Sequence, residues 1–256
     1  ILKKDTIDII DLDGNKKEKT TQTIDWDKEA AEKSGFKHFM LKEIYEQPKA
    51  ITETIAGRIN DNNIIFEKEI NLTEQEIKEI KEIKIIACGT SWHSALVGKF
   101  MFEELAKIPT DVEYASEFRY RHPIIKPNTL IIAITQSGET SDTIAALKEA
   151  KKIGAKTISI CNVMGSTITR ISEGVIYTRA GPEIGVASTK AFTTQLAVLY
   201  LLIILFSKTR NTLNEIQIKN MIEGIKKIPL QIESVLSEDK DILNLAELYY
   251  QKTNSL

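Results

Sequence analysis

The sequence predicts an α/β protein with a doubly wound parallel sheet and helices on both faces. Residues 84–88, 130–134 and 156–162 are short apolar runs rich in β-branched side chains, which is typical of strands buried on both faces of a parallel sheet. Amphipathic helical patterns lie between these runs, as in residues 140–153, and this alternation predicts βαβ units. Polar residues follow the strands directly. Because the carboxyl ends of parallel strands meet at one edge of the sheet, we expect a ligand site there.

Length and composition fit one full α/β domain with additional pieces. The chain has 256 residues, of which 42% are hydrophobic, and a formal charge of -2, which gives no reason to expect nucleic acid or an anionic membrane as a partner. The longest apolar run, residues 196–206, is shorter than the ~18–20 residues of a membrane-spanning helix, so we predict a buried helix. Neither the histidines nor Cys88 and Cys161 have metal-ligand spacing. We therefore predict reduced cysteines and no metal site.

The first part of the chain, residues 1–27, has the pattern of a β-hairpin. Two β-prone segments, residues 6–11 and 19–24, flank Asp13 and Gly14, which are a strong turn signal. A lone hairpin is marginal in water, so we expect it to complete a sheet formed elsewhere or to pack on the residues that follow. The chain begins at Ile1 without a methionine, and we expect it to be a piece of a longer protein.

Residues 28–73 combine a helical pattern with a linker. The helical pattern starts at Glu29, is broken near Gly35 and resumes over residues 39–59. Its apolar positions in the second stretch are Met40, Ile44, Ile51 and Ile55. Residues 60–71 predict a linker with a turn at residues 61–63. Thr73 and Glu76 then form a capping box, which predicts a charged helix ending near residue 82.

The main domain, residues 74–214, continues with alternating strands and helices. A long helix is predicted after residues 84–88, with Leu96, Phe100 and Leu105 along it. The other predicted elements are strands at residues 111–115 and 174–177, a brief helix at residues 167–172, and a last helix that contains residues 196–206. Residues 211–252 are expected to be helical.

Three polar loops lie at predicted helix starts. The first contains Thr135, Gln136, Ser137, Gly138 and Thr140, the second contains Gly89, Thr90 and Ser91, and the third contains Ser188 and Thr189. Hydroxyls and free N–H groups at helix N-termini favour binding of phosphate. The nucleotide-binding pattern GxxxxGK[ST] does not occur in the sequence, which favours a small phosphorylated metabolite. The alternative is that these residues only cap helices and close turns. The repetition in three loops favours a binding site.

Several motifs resemble one known family. These are ACGTSWHSA from Ala87, ASEFRYR from Ala115, QSGETSDT from Gln136 and EIGVASTKAFTTQL from Glu183. They resemble the first sugar isomerase (SIS) domain, a flavodoxin-like fold, of the glutamine:fructose-6-phosphate aminotransferase family. Residues 24–48 resemble that family's junction between its glutaminase and isomerase halves. The resemblance implies that residues 1–27 are the tail of a glutaminase domain, residues 28–73 the junction, residues 74–214 the first SIS domain and residues 215–256 the connection into a second.

The resemblance also implies a function. Members of this family are cytoplasmic enzymes that make glucosamine 6-phosphate and glutamate from fructose 6-phosphate and glutamine, without a cofactor, and a homodimer is implied for the full-length enzyme. Carried over by position, the sugar-phosphate contacts are Thr90, Ser91, Thr135, Gln136, Ser137, Thr140, Val186 and Ser188. Thr135 departs from the serine expected there but keeps the hydroxyl. We interpret Lys190 as a structural or helix-surface lysine rather than a group that forms a Schiff base.

We assign no catalytic residue within this chain. In the resembling family, an N-terminal cysteine hydrolyses glutamine, and the second SIS domain and C-terminal tail supply the acid and base for isomerisation, so this piece is expected to be inactive. His93 follows Ser91 by two positions, which on a helix places the two side chains on different sides. Two alternatives remain: a regulatory SIS module that binds a sugar phosphate, and a stand-alone aldose-ketose isomerase. The junction segment favours the aminotransferase.

Overall fold

The computed structural model describes residues 6–18, 32–66 and 69–252. In chain order its elements are α1 (Phe39–Tyr45), α2 (Gln47–Ile55), β1 (Ile59–Asn60), β2 (Asn63–Ile64), α3 (Glu74–Glu79), β3 (Glu82–Ala87), α4 (Thr90–Met101) with a π-helical turn (Phe102–Ala106), β4 (Thr110–Tyr114), α5 (Ala115–Tyr120), β5 (Thr129–Thr135), α6 (Ser141–Lys152), β6 (Lys156–Cys161), α7 (Thr167–Ile171), β7 (Gly174–Tyr177), α8 (Lys190–Thr209), α9 (Glu215–Leu236) and α10 (Asp239–Tyr249).

The main sheet has five parallel strands in the order β4-β3-β5-β6-β7. Ile85 of β3 pairs with Val112 of β4 on one side and with Ile132 of β5 on the other. Numbered within the sheet, this is the 2-1-3-4-5 order of flavodoxin-like folds, in which the order of the strands reverses beside the first strand. The predicted fold class is confirmed.

Alternate residues of the central strand β5 face two different helix layers. Leu130, Ile132 and Ile134 pack with residues of α4, α8 and α9, whereas Ile131 and Ala133 pack with residues of α5, α6 and α7. All of these strand side chains are fully buried, and burial of one isoleucine stabilises the fold by about 1.5–3 kcal/mol. Helices therefore cover both faces of the sheet, as predicted.

Helix α8 is the central helix of one layer. Its apolar residues are buried between the sheet and the other helices of that layer, as predicted for residues 196–206. By length and composition α8 is also apolar enough to cross a membrane, but 72% of its most apolar window is buried inside the structure, as in the core helix of a globular protein. Gly98 of α4 lets this helix approach closely, since a Cβ there would lie 3.1 Å from Leu199.

The helix predicted over residues 39–59 is in fact two helices. The break falls at Glu46 because Pro48 cannot donate the N–H that a continuous helix needs and instead occupies the first turn of α2. The carbonyl of Ile44 accepts a hydrogen bond from the side-chain amide of Gln47. Helix α2 then ends at Ile55, earlier than predicted.

The predicted linker of residues 60–71 is partly structured and buried. Strands β1 and β2 form a small antiparallel hairpin in which Ile59 pairs with Ile64. Ile64 and Phe66 are only 7% and 2% exposed and belong to the core. The capping box of Thr73 and Glu76 is confirmed, but α3 ends at Glu79 because β3 already begins at Glu82.

The N-terminal turn forms at the predicted place with a shorter hairpin. The N–H of Lys17 donates to the carbonyl of Ile9, and Ile10 forms an antiparallel bridge with Lys16. Pairing thus begins before residue 19. The predicted second strand at residues 19–24 and the helical start at Glu29 lie outside the described residues.

Of two further expectations for helices, the structure changes one and confirms the other. Phe100 is 66% exposed, and the π-helical turn that follows α4 buries Phe102 and Ala106 in the core instead. Residues 211–252 form α9 and α10, so the predicted helical connection is confirmed as helical.

Candidate functional site

A cavity of about 240 Å³ opens at the carboxyl edge of the sheet. It lies where the loops after β3 and β5 meet the loop before α8, beside the point at which strand order reverses. In doubly wound sheets this position is where ligands bind. The lining residues are Cys88, Thr90, Ser91, Ile134, Thr135, Gln136, Ser137, Thr140, Thr143, Glu183, Gly185, Val186 and Ser188.

The cavity brings together all of the contact residues carried over from the sequence. Ser91 and Thr135 are buried in its wall, at 9% and 3% exposure. Thr90 is exposed at the mouth, and Val186 is fully exposed on the rim. The two ends of the cavity are therefore different, because hydroxyls line the inner wall and the loop before α8 forms an outer edge.

The loop after β5 holds its hydroxyls in place by using them as acceptors. Thr135 Oγ1 accepts from the N–H of Gly138 at 3.2 Å and lies 3.4 Å from Thr140 Oγ1. Ser137 Oγ accepts from the N–H of Glu139 at 3.2 Å. A hydroxyl that accepts one hydrogen bond still has its own proton to donate. Thr135 and Ser137 can therefore both close the turn and donate to a ligand.

Gly138 lets this loop pack tightly against α7. Its φ of +71° is in the left-handed region, and a Cβ there would lie 2.0 Å from Ser166 Oγ and 2.9 Å from Cys161 Sγ. Glu139 adds a second tie, since its carboxylate accepts from the N–H of Thr167 at 2.7 Å. That backbone hydrogen bond holds the pKa of Glu139 below its ordinary value.

The loop after β3 leads directly into α4. Ser91 Oγ accepts from the side-chain amide of Gln195, at 2.9 Å, and Ser94 Oγ donates to the carbonyl of the same amide, also at 2.9 Å. Gln195 lies on α8 and Ser91 on α4, so this bond joins the two helices that follow the second and third loops. It fixes Ser91 and leaves the hydroxyl proton free to donate into the cavity.

Helix capping does not account for these hydroxyls. Thr140 stands at the N-cap of α6, yet within the described residues its side chain makes no capping hydrogen bond, and Gly89 at the N-cap of α4 has no side chain. The first N–H groups of a helix have no partner inside the helix. Both helices therefore present donors, and the positive ends of their dipoles, at the cavity.

The cavity has one charged group among its described lining residues, the carboxylate of Glu183. Glu183 accepts from the N–H groups of Thr189 and Ala191, at 2.8 and 3.1 Å, and from Ser188 Oγ at 3.0 Å. The start of α8 is thus already occupied by an anion. A bound anion is therefore favoured at the starts of α4 and α6 rather than at α8.

Two residues considered in the sequence lie away from the cavity. Lys190 is 2% exposed, and its ammonium pairs with Glu46 at 2.6 Å, so it is a structural lysine and not a surface one. His93 is exposed on α4 and does not line the cavity, in agreement with its expected direction.

Sequence reasoning missed several lining residues. Thr143 is buried one turn after Thr140, and the spacing of three on a helix is a signal that could have found it. Glu183 and Gly185 stand in the loop whose serine was singled out, but an acidic side chain does not suggest a phosphate site. The half-buried thiol of Cys88, which directly follows β3, lies 3.9 Å from Thr143 Oγ1.

Larger cavities occur elsewhere in the described part of the chain. One of about 320 Å³ lies at the amino edge of the sheet, beside Thr129 and Lys156. Another of about 480 Å³ lies among α2, α4, α8 and α9 and is mostly apolar, with Ile51 and Ile225 in its wall. Neither gathers hydroxyls at helix starts. Within the described ranges, no group of three metal-ligating side chains was found.

Comparison with known proteins agrees with the fold and the motifs. The chain is 50% identical over 248 residues to the glutamine--fructose-6-phosphate aminotransferase of Methanosarcina mazei, covering 96% of this chain and 40% of that protein. It is 48% identical over 251 residues to the enzyme of the same name from Caldanaerobacter subterraneus, covering 98% of this chain and 41% of that protein. The chain thus spans about two fifths of the length of these curated relatives.

A solved structure gives the same result in three dimensions. The C-terminal domain of glucosamine-fructose-6-phosphate aminotransferase from Francisella tularensis superposes with a TM-score of 0.81 at 40% identity, covering 86% of this chain and 62% of that one. The resemblance found in the motifs is therefore confirmed. The sequence pattern of the SIS domain matches residues 76–205, which begins within α3 and ends within α8. This chain belongs to the SIS domain family.

Proposed function

We propose that this chain is the sugar-phosphate-binding part of an enzyme that makes glucosamine 6-phosphate and glutamate from fructose 6-phosphate and glutamine. The observation that carries the proposal is the convergence of hydroxyls from separate loops on one cavity at the starts of α4 and α6. Neutral donors and helix N-termini suit a phosphate monoester, and the names of the relatives supply the sugar.

The proposed binding mode has a phosphate end and a sugar end. Thr135, Ser137 and Thr140 face the phosphate together with Thr90 and Ser91. Val186 and Ser188 lie nearer the sugar. Ser188 Oγ already donates to Glu183, so it is available to accept a hydrogen bond from a sugar hydroxyl. Charge-assisted bonds contribute ~1.5–3 kcal/mol each, so the phosphate should dominate recognition.

The rest of the proposal concerns the longer protein. We infer that residues 1–27 end a glutaminase domain, residues 28–73 form the junction, residues 74–214 are the first SIS domain and residues 215–256 lead into a second. The intact enzyme is proposed to be a cytoplasmic glutamine amidotransferase and homodimer that acts in amino-sugar biosynthesis. No residue of this chain is assigned a catalytic role, so the chain by itself is expected to bind and not to convert its ligand.

Calorimetric titration tests the proposal. Fructose 6-phosphate and glucosamine 6-phosphate should bind, and unphosphorylated fructose should bind at least about 100-fold more weakly because it lacks the charged group. Equal affinities for fructose and its phosphate, or a preference for ATP, would reject a sugar-phosphate site. Binding of another sugar phosphate in preference to both ligands would instead support the alternative of a regulatory SIS module.

A further inference from the structure

Helix α1 buries its two charged residues and exposes two of its apolar ones. Lys42 and Glu43 are 4% and 2% exposed, whereas Met40 and Leu41 are 43% and 40% exposed. Burial of a charge is costly unless the group is paired or hydrogen-bonded. The partners of these side chains therefore explain why α1 packs with this face inward.

The buried carboxylate of Glu43 binds the backbone of the loop before α8. Its Oε1 accepts from the N–H groups of Ile184 and Gly185, at 2.6 and 3.0 Å, and its Oε2 lies 3.2 Å from the same N–H of Gly185. A Cβ on Gly185 would lie 2.6 Å from Glu43 Oε2 and 3.4 Å from the Cα of Met40. Helix α1 thus approaches the loop closely at a position where the loop has no side chain.

A second set of bonds ties the same region to the first residue of α8. Lys190 pairs with Glu46 at 2.6 Å, and Lys42 pairs with the other oxygen of Glu46 at 3.3 Å. Glu46 directly follows α1. The segment from residue 183 to residue 190 is therefore held at Ile184 and Gly185 by Glu43 and at Lys190 by Glu46.

We propose that Glu43 is a positioning residue for the candidate site, which acts on the sugar end of the cavity through the loop before α8. Gly185 lines the cavity and is bound by Glu43, and the lining residues Val186 and Ser188 lie between it and Lys190, the second point at which the junction holds the loop. Thr135 and Ser137, at the phosphate end, have no bond to α1 among the contacts of the described residues. The inference rests on the proposed function, because it assigns the two ends of the cavity to sugar and phosphate.

Removal of the carboxylate should affect the two ends unequally. Without Glu43 the N–H groups of Ile184 and Gly185 lose their acceptor, and the loop is free to adopt other conformations. Fructose 6-phosphate, which needs both ends, should bind about tenfold more weakly, as expected for loss of an interaction to a charged group. Inorganic phosphate needs only the inner wall, and its affinity should change less than about twofold.

The test uses Glu43→Ala, which removes the acceptor, with calorimetric titration of fructose 6-phosphate and of inorganic phosphate. Glu43→Gln keeps one acceptor oxygen and the shape of the side chain, so it should retain most of the wild-type affinity. Glu53→Ala is the matched control, because Glu53 is exposed on α2. Gly185→Ala should reproduce the effect of Glu43→Ala, since its Cβ displaces the carboxylate. Thermal unfolding of each variant shows whether the titrations compare folded proteins, and Gly185→Ala still tests the proposal if Glu43→Ala does not fold.

Hydrogen exchange supplies a measurement that needs no ligand. The amides of residues 184 and 185 should exchange at least about tenfold faster in Glu43→Ala than in the wild type, while the amides of residues 138 and 139 keep their rates. An equal loss of affinity for both ligands, or no loss for either, would overturn the positioning role. Failure of the wild type to bind fructose 6-phosphate would reject the proposed function itself, and unchanged exchange at residues 184 and 185 would reject the tie to α1 independently.

Discussion

The two edges of the parallel sheet each carry a cavity, and the polar groups at the two edges have different partners. At the amino edge, Thr73 and Glu76 satisfy each other in a capping box, and Glu76 also pairs with Lys156. At the carboxyl edge, Thr140 stands at the N-cap of α6 without capping it, and Ser137 retains a proton to donate. Thr73 and Glu76 at the amino edge are thus satisfied by each other, whereas Ser137 and Thr140 at the carboxyl edge keep protons to donate to a ligand.

We therefore expect the amino edge to contribute to the free energy of unfolding and the carboxyl edge to contribute to ligand affinity. A change at the amino edge should alter the free energy of unfolding and leave ligand affinity unchanged. A change to a hydroxyl at the carboxyl edge should do the reverse. Only a change that displaces the backbone of a carboxyl-edge loop should affect both quantities, because that loop is packed on α7 as well as exposed to the cavity.

The largest effect is expected for Gly138→Ala. The added Cβ would lie 2.0 Å from Ser166 Oγ and would stand at a φ of +71°, so both a clash and backbone strain oppose it. We expect destabilisation of about 3–5 kcal/mol together with loss of sugar-phosphate binding. Chemical denaturation and calorimetry measure the two effects.

Gly154→Ala is the matched control at the amino edge. Gly154 has a φ of +86° and lines the amino-edge cavity, but its Cβ would meet no atom within 4 Å. Backbone strain is then the only cost, about 1 kcal/mol, with no change in binding. Equal destabilisation by the two substitutions would show that the close packing of Gly138 against α7 adds nothing to the cost of backbone strain.

An intermediate effect is expected for Ser137→Ala. Loss of one hydrogen bond to a charged phosphate should weaken binding of fructose 6-phosphate roughly 10–100-fold, or ~1.5–3 kcal/mol, with little change in thermal stability. Ser141→Ala, at an exposed residue that opens α6 outside the cavity, should leave binding unchanged. A fall in stability without a change in affinity for Ser137→Ala would show that this hydroxyl serves only to close the turn.

The smallest effect is expected for Glu76→Gln at the amino edge. The hydrogen bond from Lys156 and those from Thr73 lower the pKa of Glu76 from 4.5 to about 2. Because the folded pKa is lowered, the stabilisation is present above pH ~4.5 and is lost as pH falls toward ~2. Glutamine keeps the capping box and removes the charge, so the substitution should cost at most about 1 kcal/mol at neutral pH and flatten the stability profile in that window. The free energy of unfolding is measured by denaturation at several pH values. If its dependence on pH below ~4.5 were the same in Glu76→Gln and the wild type, this role of the ion pair would be contradicted.

Most of the sheet and its site could be predicted from the sequence because local patterns determine them. Residues 130–134 are apolar without interruption since β5 is covered on both faces, and the hydroxyls after them mark the edge where the strand ends. The same patterns failed in the junction. Met40 is an apolar position of the predicted helix, yet it is 43% exposed, because Glu43 turns inward to bind a backbone N–H more than a hundred residues away. No local pattern contains such a contact.

The site was incomplete in the sequence for the same reason. Glu183 and Gly185 line the cavity because of their contacts in the folded structure. Glu183 accepts a hydrogen bond from the N–H of Thr189 at the start of α8, and Gly185 has no side chain that would clash with Glu43. The burial of the predicted linker at Ile64 and Phe66 also depends on tertiary packing rather than on its turn residues. Rules that read strand and helix periods therefore find the scaffold, and miss the charged residues that hold its loops.

Amide chemical-shift mapping during titration with fructose 6-phosphate tests most directly the claim that the carboxyl edge is the ligand-binding edge. We expect the largest shifts at residues 90–91 and 135–140, smaller shifts at residues 183–188, and none at residues 73–76 or 154–156 of the amino edge. Inorganic phosphate should reproduce the first set and not the second. Shifts centred on the amino-edge cavity, or no shifts at residues 135–140 under saturating ligand, would contradict the account.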